Sequence, residues 1–407
     1  MHILLIHQAF AGLDEAGGTR HMELARLLVR RGHQVTIIAS PISYLSGKTR
    51  TGKMFWDQIE LSDPGITIHR TYTYPALHRS FFHRILSFLS FMVSSFLAAM
   101  KVKKVDLVWG TSPPIFQGIT AWLVARLKGV PFLFEVRDLW PAFAIAVGVL
   151  RNPLLIALSN WLEKFLYSHA DRVMVNSPGY LDHVSLRGAK WVELVPNGAD
   201  PTMFDPLSTG KKFRDQWSLE DNFIALYAGA HGLSNDLTIV LNAAERLREF
   251  PQIKIVLVGD GKEKSHLIEQ SKKMGLDNVL FVPAAPKNEI GEVIAAADAC
   301  IAILKPLEMY KTTYPNKVFD YMAAGRPVVL AIDGVIREVV EQAGAGLYCE
   351  PGDPIAMANT ILRLSQNPGE SKKMGAAGRN YVQKNFDRNR LADQLAMLLE
   401  DLWRKNG

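Results

Sequence analysis

Short apolar runs alternate with longer amphipathic segments along this chain, and that alternation constrains the fold more than any other feature. Residues 2–8 and 34–39 are strand candidates, and residues 20–31 between them repeat apolar side chains at helical spacing before Gly32. A strand, a helix and a second strand within about 40 residues predict a parallel pair joined by a right-handed crossover. The pattern returns in the runs 105–109, 132–136 and 172–175.

A second series of the same kind begins near residue 223. Its strand candidates are the runs 223–227, 253–258, 279–282, 299–304 and 328–331. The fold class predicted is therefore α/β, with two Rossmann-like, doubly wound parallel sheets facing a cleft. We predict a first domain over 1–200, a second over 201–385 and a C-terminal helix over 386–407 that packs back on the first domain. Ligands of such sheets bind beyond the carboxyl ends of the strands, so the loops there should carry the chemistry.

Length and cysteine content limit the class of protein. A chain of 407 residues with 48% apolar composition is long enough for two cores of this size. Cys300 and Cys349 are the only cysteines, which indicates neither a disulfide framework nor a thiolate metal site and fits a reducing cytosol. The run 2–8 lacks the charged region and the cleavage site of a signal peptide, so we expect a cytoplasmic protein.

Positive charge is concentrated in the first half. Residues 1–200 hold 21 Lys and Arg against 14 Asp and Glu, whereas residues 201–407 hold 25 against 26. No acidic residue lies between Asp63 and Asp106, although six basic ones do: Arg70, Arg79, Arg84, Lys101, Lys103 and Lys104. A stretch of one sign favours an anionic partner. Nucleic acid is not expected, because aromatic and basic residues do not interleave as a stacking platform requires.

The uncharged segment 85–100 lies inside this basic stretch. It is shorter than the roughly 20 residues that span a bilayer. Ser87, Ser90 and Ser94 share one helical face, and apolar residues cover much of the rest. An apolar helix with basic ends, near 79–104, predicts shallow insertion into an anionic membrane surface, so the protein should be peripheral on the inner face of the cell membrane. The alternative is a core helix that covers the first sheet.

Two glycine-containing loops follow predicted strands, and an anion could bind at each loop. Gly17-Gly18-Thr19-Arg20 follows the first strand candidate and opens the first helix, where unpaired amides and a close backbone favour an anion. Gly259-Asp260-Gly261 is the counterpart in the second half. Each is a weak signal, because a helix-entry turn or an ordinary loop between a strand and a helix has the same composition.

The segment from Thr312 to Pro327 is the most informative. Pro315 is tolerated only in a first helical turn, so we predict that a helix starts here, with Thr313 or Tyr314 as its cap and its amides free for phosphate oxygens. Lys317 would supply a mobile charge near those phosphates, and Asp320 could accept the hydroxyls of a ribose. The alternative is an amphipathic helix in which Lys317 and Asp320 merely pair.

Arg137 and Asp138 follow directly after the strand candidate 132–136. A carboxylate there could orient a hydroxyl of an acceptor, and the guanidinium could hold a phosphate. A surface ion pair is the alternative. The chain contains no P-loop, no H-E-x-x-H, no G-x-S-x-G and no Asp-x-Asp motif. Their absence argues against a P-loop enzyme, a zinc protease, a serine hydrolase and a carboxylate-bound metal site.

Five landmarks across nearly the whole chain resemble one family in their order. They are Gly17-Gly18 with Gly32-His33-Gln34-Val35, Asn197-Gly198-Ala199-Asp200, Tyr227-Ala228-Gly229, Gly259-Asp260-Gly261 and Tyr321-Met322-Ala323-Ala324-Gly325-Arg326-Pro327. The chain thus resembles retaining glycosyltransferases of the two-Rossmann (GT-B) class, of the group 1 or family 4 type. Ser112-Pro113-Pro114, the run 136–141 and Gly229-Ala230-His231-Gly232 look like the bacterial surface-polysaccharide branch, which makes O-antigens and capsules.

The resemblance implies a mechanism and a set of site residues. The second domain should bind a nucleotide diphosphate sugar and the first an acceptor, with retention at the anomeric carbon and with no metal or other cofactor required. Preorganised amides and cations would stabilise the departing diphosphate. We expect catalytic roles for Asp138, Lys317 and Gly18. The expected donor-binding residues are Gly229, His231, Gly259, Gly261, Thr312, Thr313, Tyr314, Asn316, Lys317 and Asp320. The expected acceptor-binding residues are Gly17, Gly18, Thr19, Arg20, Arg137 and Asp138.

The chain departs from the family at the phosphate-binding cations. Many relatives place an Arg and a Lys where this chain has Ala230 and Asn235, and two glutamates where it has Thr312 and Asp320. Lys317 and His231 are the expected substitutes, with Arg20 and Arg137 as contributors. A histidine would serve only if it is protonated or donates one N–H.

The function expected is transfer of an acetamido or deoxy hexose from a UDP-sugar to a polyprenyl-diphosphate-linked saccharide. Two alternatives stay open on the same fold. A nucleotide-sugar epimerase would have no use for the basic apolar helix. A non-catalytic partner subunit would explain the missing Arg and Lys.

Overall fold

The structure, a computed structural model, describes residues 1–43, 47–50, 56–75 and 81–406. These residues form two units. The first comprises Met1–Gly12, Gly18–Pro196 and Asn389–Gly407, and the second comprises Leu13–Gly17 and Asn197–Arg388. The chain therefore passes from the first unit to the second after Pro196 and returns after Arg388.

The first unit is built on one twisted sheet. Its strands are His2–Ile6 (β1), Gln34–Ala39 (β2), Asp57–Asp63 (β3), Ile66–Thr71 (β4), Leu107–Ser112 (β5), Phe132–Val136 (β6), Arg172–Val175 (β7) and Val192–Leu194 (β8). They lie in the order β3-β4-β2-β1-β5-β6-β7-β8 and run parallel, except that β3 is antiparallel to β4. The central strands are apolar on both faces because helices cover both sides of the sheet.

The first unit's helices are Arg20–Arg30 (α1), Phe81–Lys101 (α2), Phe116–Lys128 (α3), Ala142–Ala146 (α4), Pro153–His169 (α5) and Leu181–Leu186 (α6). Helix α2 packs against α3, and α3 against α5. The three connect strands in the same direction across the sheet, so right-handed crossovers place them on one face. The chain's last helix, named α15 below, packs in this unit, where Arg31 Nε donates to Asp393 Oδ1 at 2.6 Å.

The second unit repeats the architecture. Its strands are Phe223–Ala228 (β9), Ile253–Val258 (β10), Val279–Val282 (β11), Ala299–Ile303 (β12), Val328–Ala331 (β13) and Gly346–Tyr348 (β14). They pair in parallel in the order β11-β10-β9-β12-β13-β14. The remaining helices are Lys211–Trp217 (α7), Leu237–Arg246 (α8), Lys264–Met274 (α9), Ile290–Ala295 (α10), Asn316–Ala323 (α11), Val335–Ala343 (α12), Pro354–Gln366 (α13), Pro368–Asn385 (α14) and Arg388–Asn406 (α15).

The prediction of two Rossmann-like parallel sheets is confirmed. Predicted and observed bounds agree for β2, β6, β7, β10, β11 and β13. The prediction missed β3, β4, β8 and β14. Strand β3, Asp-Gln-Ile-Glu-Leu-Ser-Asp, lies at the sheet edge and is too polar to produce a continuous apolar run. Arg79, at the beginning of the predicted basic helix, lies outside the described residues.

Candidate active site

Lys317 is the centre of a polar cluster at the carboxyl ends of the second unit's strands. Its Nζ donates to the Tyr227 hydroxyl at 2.8 Å and lies 4.0 Å from the centroid of the same ring. The Tyr227 hydroxyl in turn donates to the Ala230 carbonyl at 2.7 Å. Burial lowers the pKa of Lys317 to about 7. The prediction of a mobile charge is therefore wrong in one respect, because packing on Tyr227 fixes the position of this amine.

Asn235 is the second contact of Lys317. Its Oδ1 lies 3.4 Å from Lys317 Nζ. Residue 235 is the position at which the chain lacks the lysine that the family pattern places there. The Lys317 amine thus reaches the same neighbourhood from a different helix, α11.

His231 is buried beside this cluster. Neither ring nitrogen has a hydrogen-bond partner among the described residues. Burial, and then the charges of Lys264 and Lys317, lower the pKa of His231 to about 4. The expectation of a histidine cation is therefore wrong for neutral pH, since an imidazole with this pKa is uncharged. The neutral ring has one N–H that it can donate to an anion.

Glycines allow the loop after β9 and the loop after β10 to contact each other. Gly259 has φ +156°, and a Cβ built there would lie 1.9 Å from the Gly229 carbonyl oxygen. At Gly261, with φ +153°, a Cβ would lie 2.5 Å from the His231 carbonyl oxygen. A Cβ on Gly229 would lie 3.0 Å from Lys317 Nζ. Contacts with backbone atoms thus require glycine at 259 and 261, whereas at Gly229 the φ of +153° favours glycine and the nearby atom is the flexible end of Lys317. Packing within the protein, the alternative left open for the loop 259–261, is sufficient to explain its glycines.

Asp320 is bound by a residue that sequence reasoning missed. Lys287 Nζ lies 2.7 Å from Asp320 Oδ2, and both side chains are largely buried. Asn316 Nδ2 donates to the same oxygen at 3.3 Å. The alternative in which Asp320 pairs with Lys317 is therefore not the one observed. A buried lysine reaching from 33 residues upstream has no local sequence signal.

Helix α11 begins one residue later than predicted. Pro315 is the N-cap residue, in extended conformation, and Asn316 is the first helical residue. The predicted caps have other contacts: the Thr313 amide donates to the Tyr310 carbonyl at 3.2 Å, and the Tyr314 ring packs against Phe319. Thr312 Oγ1 donates to the Met309 carbonyl at 2.7 Å. In the first turn of α11 the Val318 amide donates to the Pro315 carbonyl at 3.1 Å, while the amides of Asn316 and Lys317 have no partner in the preceding residues of the helix.

A buried charge network lies at the carboxyl ends of β1, β5 and β6 in the first unit. Glu135 Oε2 lies 2.5 Å from His21 Nε2, and its Oε1 accepts from Arg20 Nε at 3.2 Å. Burial opposes ionisation of Glu135, but His21 and Arg20 outweigh it and hold its pKa below the ordinary range. Because an ionised carboxylate only accepts, His21 carries its proton on Nε2.

Arg20 does not face an open site. Its Nη1 and Nη2 donate to the carbonyls of Pro196 and Val195 at 2.9 and 2.8 Å. These contacts and the bond to Glu135 explain why a charged side chain is buried there. These contacts give Arg20 a structural role in the free protein, and its contact with an acceptor or donor phosphate stays a prediction. Thr19 Oγ1 is likewise occupied, since it donates to Glu23 at 2.7 Å.

Arg137 is held by four contacts. Its Nε donates to Thr111 Oγ1 and the Ser112 carbonyl at 3.0 and 3.1 Å, and its Nη2 lies 3.0 Å from His7 Nε2 and 3.1 Å from the Pro113 carbonyl. None of the described residues pairs with Nη1. Burial, with His21 and Arg137 next, lowers the pKa of His7, which leaves a neutral ring to accept this bond.

Asp138 is half-buried beside Arg137. Burial raises its pKa to about 6, although the charge of Arg137 opposes the rise. No ion pair joins the two side chains among the described contacts, so the alternative of a simple surface pair is not observed. A carboxyl group with a raised pKa at a strand end is typical of a functional residue.

The remaining predicted residues are glycines near the first helix. Gly17 belongs to the second unit, and Gly18 to the first. A Cβ added at Gly18 would meet no atom within 4 Å, so packing within the protein does not require glycine there. Among the described residues, no three His, Cys, Asp or Glu side chains are grouped as metal ligands are.

Comparisons with known proteins agree with this geometry. Residues 210–381 match the family model for glycosyl transferases group 1, and residues 16–198 match the model for the glycosyl transferase 4-like domain. The chain is 24% identical over 385 residues to a protein named as the colanic acid biosynthesis glycosyl transferase WcaI of Escherichia coli (strain K12), with 91% of this chain and 93% of that protein covered.

Solved structures share the fold across the full length. Sucrose-phosphate synthase from Thermosynechococcus elongatus superposes with a TM-score of 0.80 at 22% identity, over 99% of both chains. Anabaena HepE in complex with UDP-glucose gives 0.71 at 17% identity, over 98% of this chain and 100% of HepE. At these identities the likeness establishes the GT-B fold alone. With both of its domains matched by family models, the chain is a glycosyltransferase of the group 1 type with a family 4-like first domain.

Proposed function

We propose that the protein transfers a sugar from a UDP-sugar, bound by the second unit, to a polyprenyl-diphosphate-linked saccharide bound by the first, with retention at the anomeric carbon. The sugar is an acetamido or deoxy hexose, and the product is a cell-surface polysaccharide precursor. The bond from the anomeric carbon to the diphosphate breaks, the acceptor oxygen bonds to that carbon on the same face, and the acceptor proton passes to the departing diphosphate.

The position of Lys317 is the observation that supports this proposal most. Lys317 is half-buried, its amine has no carboxylate partner among the described residues, and the amine contacts the Tyr227 hydroxyl and, at 3.4 Å, Asn235 Oδ1. A charged, half-buried amine without a counter-ion is unfavourable until an anion arrives, and the departing diphosphate is such an anion. Lys317 therefore takes the place of the Arg and Lys that the chain lacks at residues 230 and 235.

Neighbouring groups complete the diphosphate site. The amides of Asn316 and Lys317 at the start of α11 and one N–H of His231 are further donors for phosphate oxygens. In this proposal, cations and amides supply all of the charge compensation, so transfer proceeds without a metal ion. Activity that persists in excess EDTA is the expected result, and activity restored only by Mg²⁺ or Mn²⁺ would contradict this part.

Asp138 and Arg137 serve the acceptor. The half-buried Asp138 carboxylate, whose pKa burial raises to about 6, is ionised at neutral pH, so it accepts a hydrogen bond from the attacking hydroxyl and orients it. Arg137, fixed by His7 and Thr111, directs Nη1 toward an acceptor phosphate.

The relatives support the substrate class. HepE was solved with UDP-glucose, and WcaI is named for colanic acid biosynthesis. We place the protein on the cytoplasmic face of the membrane, where lipid-linked saccharides are assembled, with helix α2 as the contact. The exposed apolar side chains on the outward side of α2 support that placement.

A transfer assay tests the proposal. The protein is incubated with UDP-, GDP-, ADP- and dTDP-sugars and with lipid-linked saccharides extracted from bacterial membranes. The expected result is an extended lipid-linked saccharide with an α- or β-linkage matching the donor, together with free UDP. A donor sugar altered without transfer would indicate an epimerase, and binding without turnover of any donor would indicate a non-catalytic subunit.

A further inference from the structure

Three neighbouring helices of the first unit expose rows of large apolar side chains. The exposed residues are Leu89, Val93, Leu97 and Met100 on α2, Leu123 and Leu127 on α3, and Leu154, Leu158 and Trp161 on α5. On each helix these residues follow one another at spacings of three or four, so each row lies on one side. We call these nine residues the three-helix face. Soluble proteins rarely expose large apolar side chains in groups without using them for an interaction.

Helix α2 turns several serines toward the protein core and several large apolar side chains toward the outside. Ser87, Ser94 and Ser95 are buried, and Ser94 Oγ donates to the Tyr72 carbonyl at 2.6 Å. Phe91 is buried on the same side of the helix, so α2 is at once a core helix and an exposed apolar surface. A helix that turned its serines inward and its leucines toward water would lose stability unless the outer side met an apolar partner.

The three helices present no carboxylate to their surroundings. Helices α2 and α3 contain no Asp or Glu. The single acidic residue of α5, Glu163, is fully buried and pairs with Arg187 at 2.6 Å and His183 at 2.9 Å. An anionic surface would therefore meet no repelling charge over this part of the unit.

Cations collect at the edge where these helices end. Lys128 Nζ, at the end of α3, donates to the Val102 carbonyl at 2.7 Å, and Arg126 donates to the His169 carbonyl at 3.2 Å. These contacts tie the ends of α2, α3 and α5 together. Lys101, Lys103 and Lys104 follow at the same edge and are exposed. The arrangement, apolar side chains bordered by cations, is complementary to a bilayer with anionic headgroups.

We propose that the three-helix face docks on the surface of an anionic phospholipid bilayer. Leu89, Val93 and Leu158 enter the boundary between headgroups and acyl chains, and the lysines at the edge lie at phosphate level. Helix α2, the only described helix long and apolar enough to span a membrane, stays at the interface because its inner side belongs to the protein core. This inference rests on the proposed function in one point, the lipid-linked acceptor that would bring the protein to a membrane. It extends the proposed membrane contact from α2 to α3 and α5.

Vesicle flotation with a matched pair of double variants tests the proposal. Leu154→Glu with Leu158→Glu places two carboxylates on the three-helix face, whereas Leu186→Glu with Leu207→Glu makes the same change at two leucines outside it. The control leucines are each 86% exposed, and Leu154 and Leu158 are 66% and 53% exposed. All four side chains are therefore replaceable without disturbing the core. The probe is vesicles of phosphatidylcholine with phosphatidylglycerol.

The wild-type protein and the Leu186/Leu207 variant should float with these vesicles, and the Leu154/Leu158 variant should lose at least about tenfold in affinity. Binding should fall with added salt, since Lys101, Lys103 and Lys104 interact with the headgroups at long range. Equal binding by both variants would overturn the proposal. A second combination of results would also overturn it: wild type does not bind vesicles but forms a dimer in light scattering, and the Leu154/Leu158 variant is monomeric. The three-helix face would then bind a second copy of the chain.

Thermal stabilisation by UDP separates this inference from the proposed function. The Leu154/Leu158 variant should be stabilised by UDP to the same extent as wild type, because its substitutions lie in the first unit. Vesicle binding lost with the UDP response intact supports docking through the three-helix face. Vesicle binding that is intact in wild type without any nucleotide response would leave the docking surface standing and refute the donor site.

Discussion

The Lys317 amine donates to the Tyr227 hydroxyl at 2.8 Å and lies above the same ring, 4.0 Å from its centroid. The aromatic ring and the hydroxyl orient the amine, but neither carries the negative charge that would keep it protonated. A lysine in this setting is positioned before its ligand arrives. Both the stability of the free protein and its affinity for a diphosphate should therefore depend on the proton of Lys317.

Replacing Lys317 by Met should stabilise the free protein at neutral pH. The folded-state pKa is about 7 against an ordinary 10.5, so the unfolded chain binds more protons between these values and stability rises with pH in that window. Met removes the buried amine, so the variant should be about 1–2 kcal/mol more stable at pH 7, with the difference shrinking toward pH 10. Urea denaturation across this range measures it. A variant less stable than wild type at pH 7 would contradict the placement of this amine without a counter-ion.

Donor binding should take up a proton above pH 7. A diphosphate favours the charged form of Lys317, so affinity should fall by up to about tenfold per pH unit above pH 7, where UDP is fully ionised. His231, with a pKa of about 4, stays neutral throughout and adds no slope. Calorimetry with UDP in two buffers of different ionisation enthalpy measures the proton directly. A flat profile from pH 6 to 9 would show that Lys317 is not in contact with the diphosphate.

Asp138→Asn should lower turnover by about 100-fold and leave donor affinity unchanged. The same change should stabilise the free protein, because the folded-state pKa of Asp138 is about 6 against an ordinary 3.8. The folded state binds more protons between these values, so stability decreases as pH rises from 4 to 6 and stays reduced above. Asn removes that effect, and the gain should be on the order of 1 kcal/mol at pH 8 and absent near pH 4. Unchanged turnover would remove Asp138 from the acceptor site.

The buried pair of Lys287 and Asp320 should show strong coupling. Lys287→Met leaves a buried carboxylate without its cation, and Asp320→Asn leaves the amine without its anion, so each should lose roughly 2–4 kcal/mol of stability. The loss of unfolding free energy in the double variant should be smaller than the sum of the two single losses by at least about 1 kcal/mol. A double-mutant cycle in urea measures this term. Additive losses would mean that the 2.7 Å contact does not stabilise the fold.

The sequence alone was sufficient to predict the bounds of several central strands. Strands β2, β6 and β10 are buried on both faces, so a continuous apolar run marks their bounds. The edge strand β3 is polar and pairs only with β4, and its residues carry no such run. Pairing at an edge depends on the neighbouring strand, which a local pattern does not contain.

The site residues also differ in whether a local sequence signal identifies them. Lys317 was identified from Pro315 and the helix that follows, which are local signals. Its partner Tyr227 is 90 residues away, and Lys287 reaches Asp320 from 33 residues away. Arg20 shows the converse, because a basic residue at a helix start looks available in sequence while its contacts to Glu135 and two carbonyls have already satisfied it.

Binding of UDP to three proteins, measured by calorimetry at pH 6.5, tests the central claim that Lys317 holds the donor diphosphate. Lys317→Met should lose on the order of 10- to 100-fold in affinity, the value of a charge-assisted hydrogen bond. Lys272→Met, which removes an exposed lysine from the last turn of α9, should bind as wild type does. Equal affinity in Lys317→Met and wild type would contradict the account.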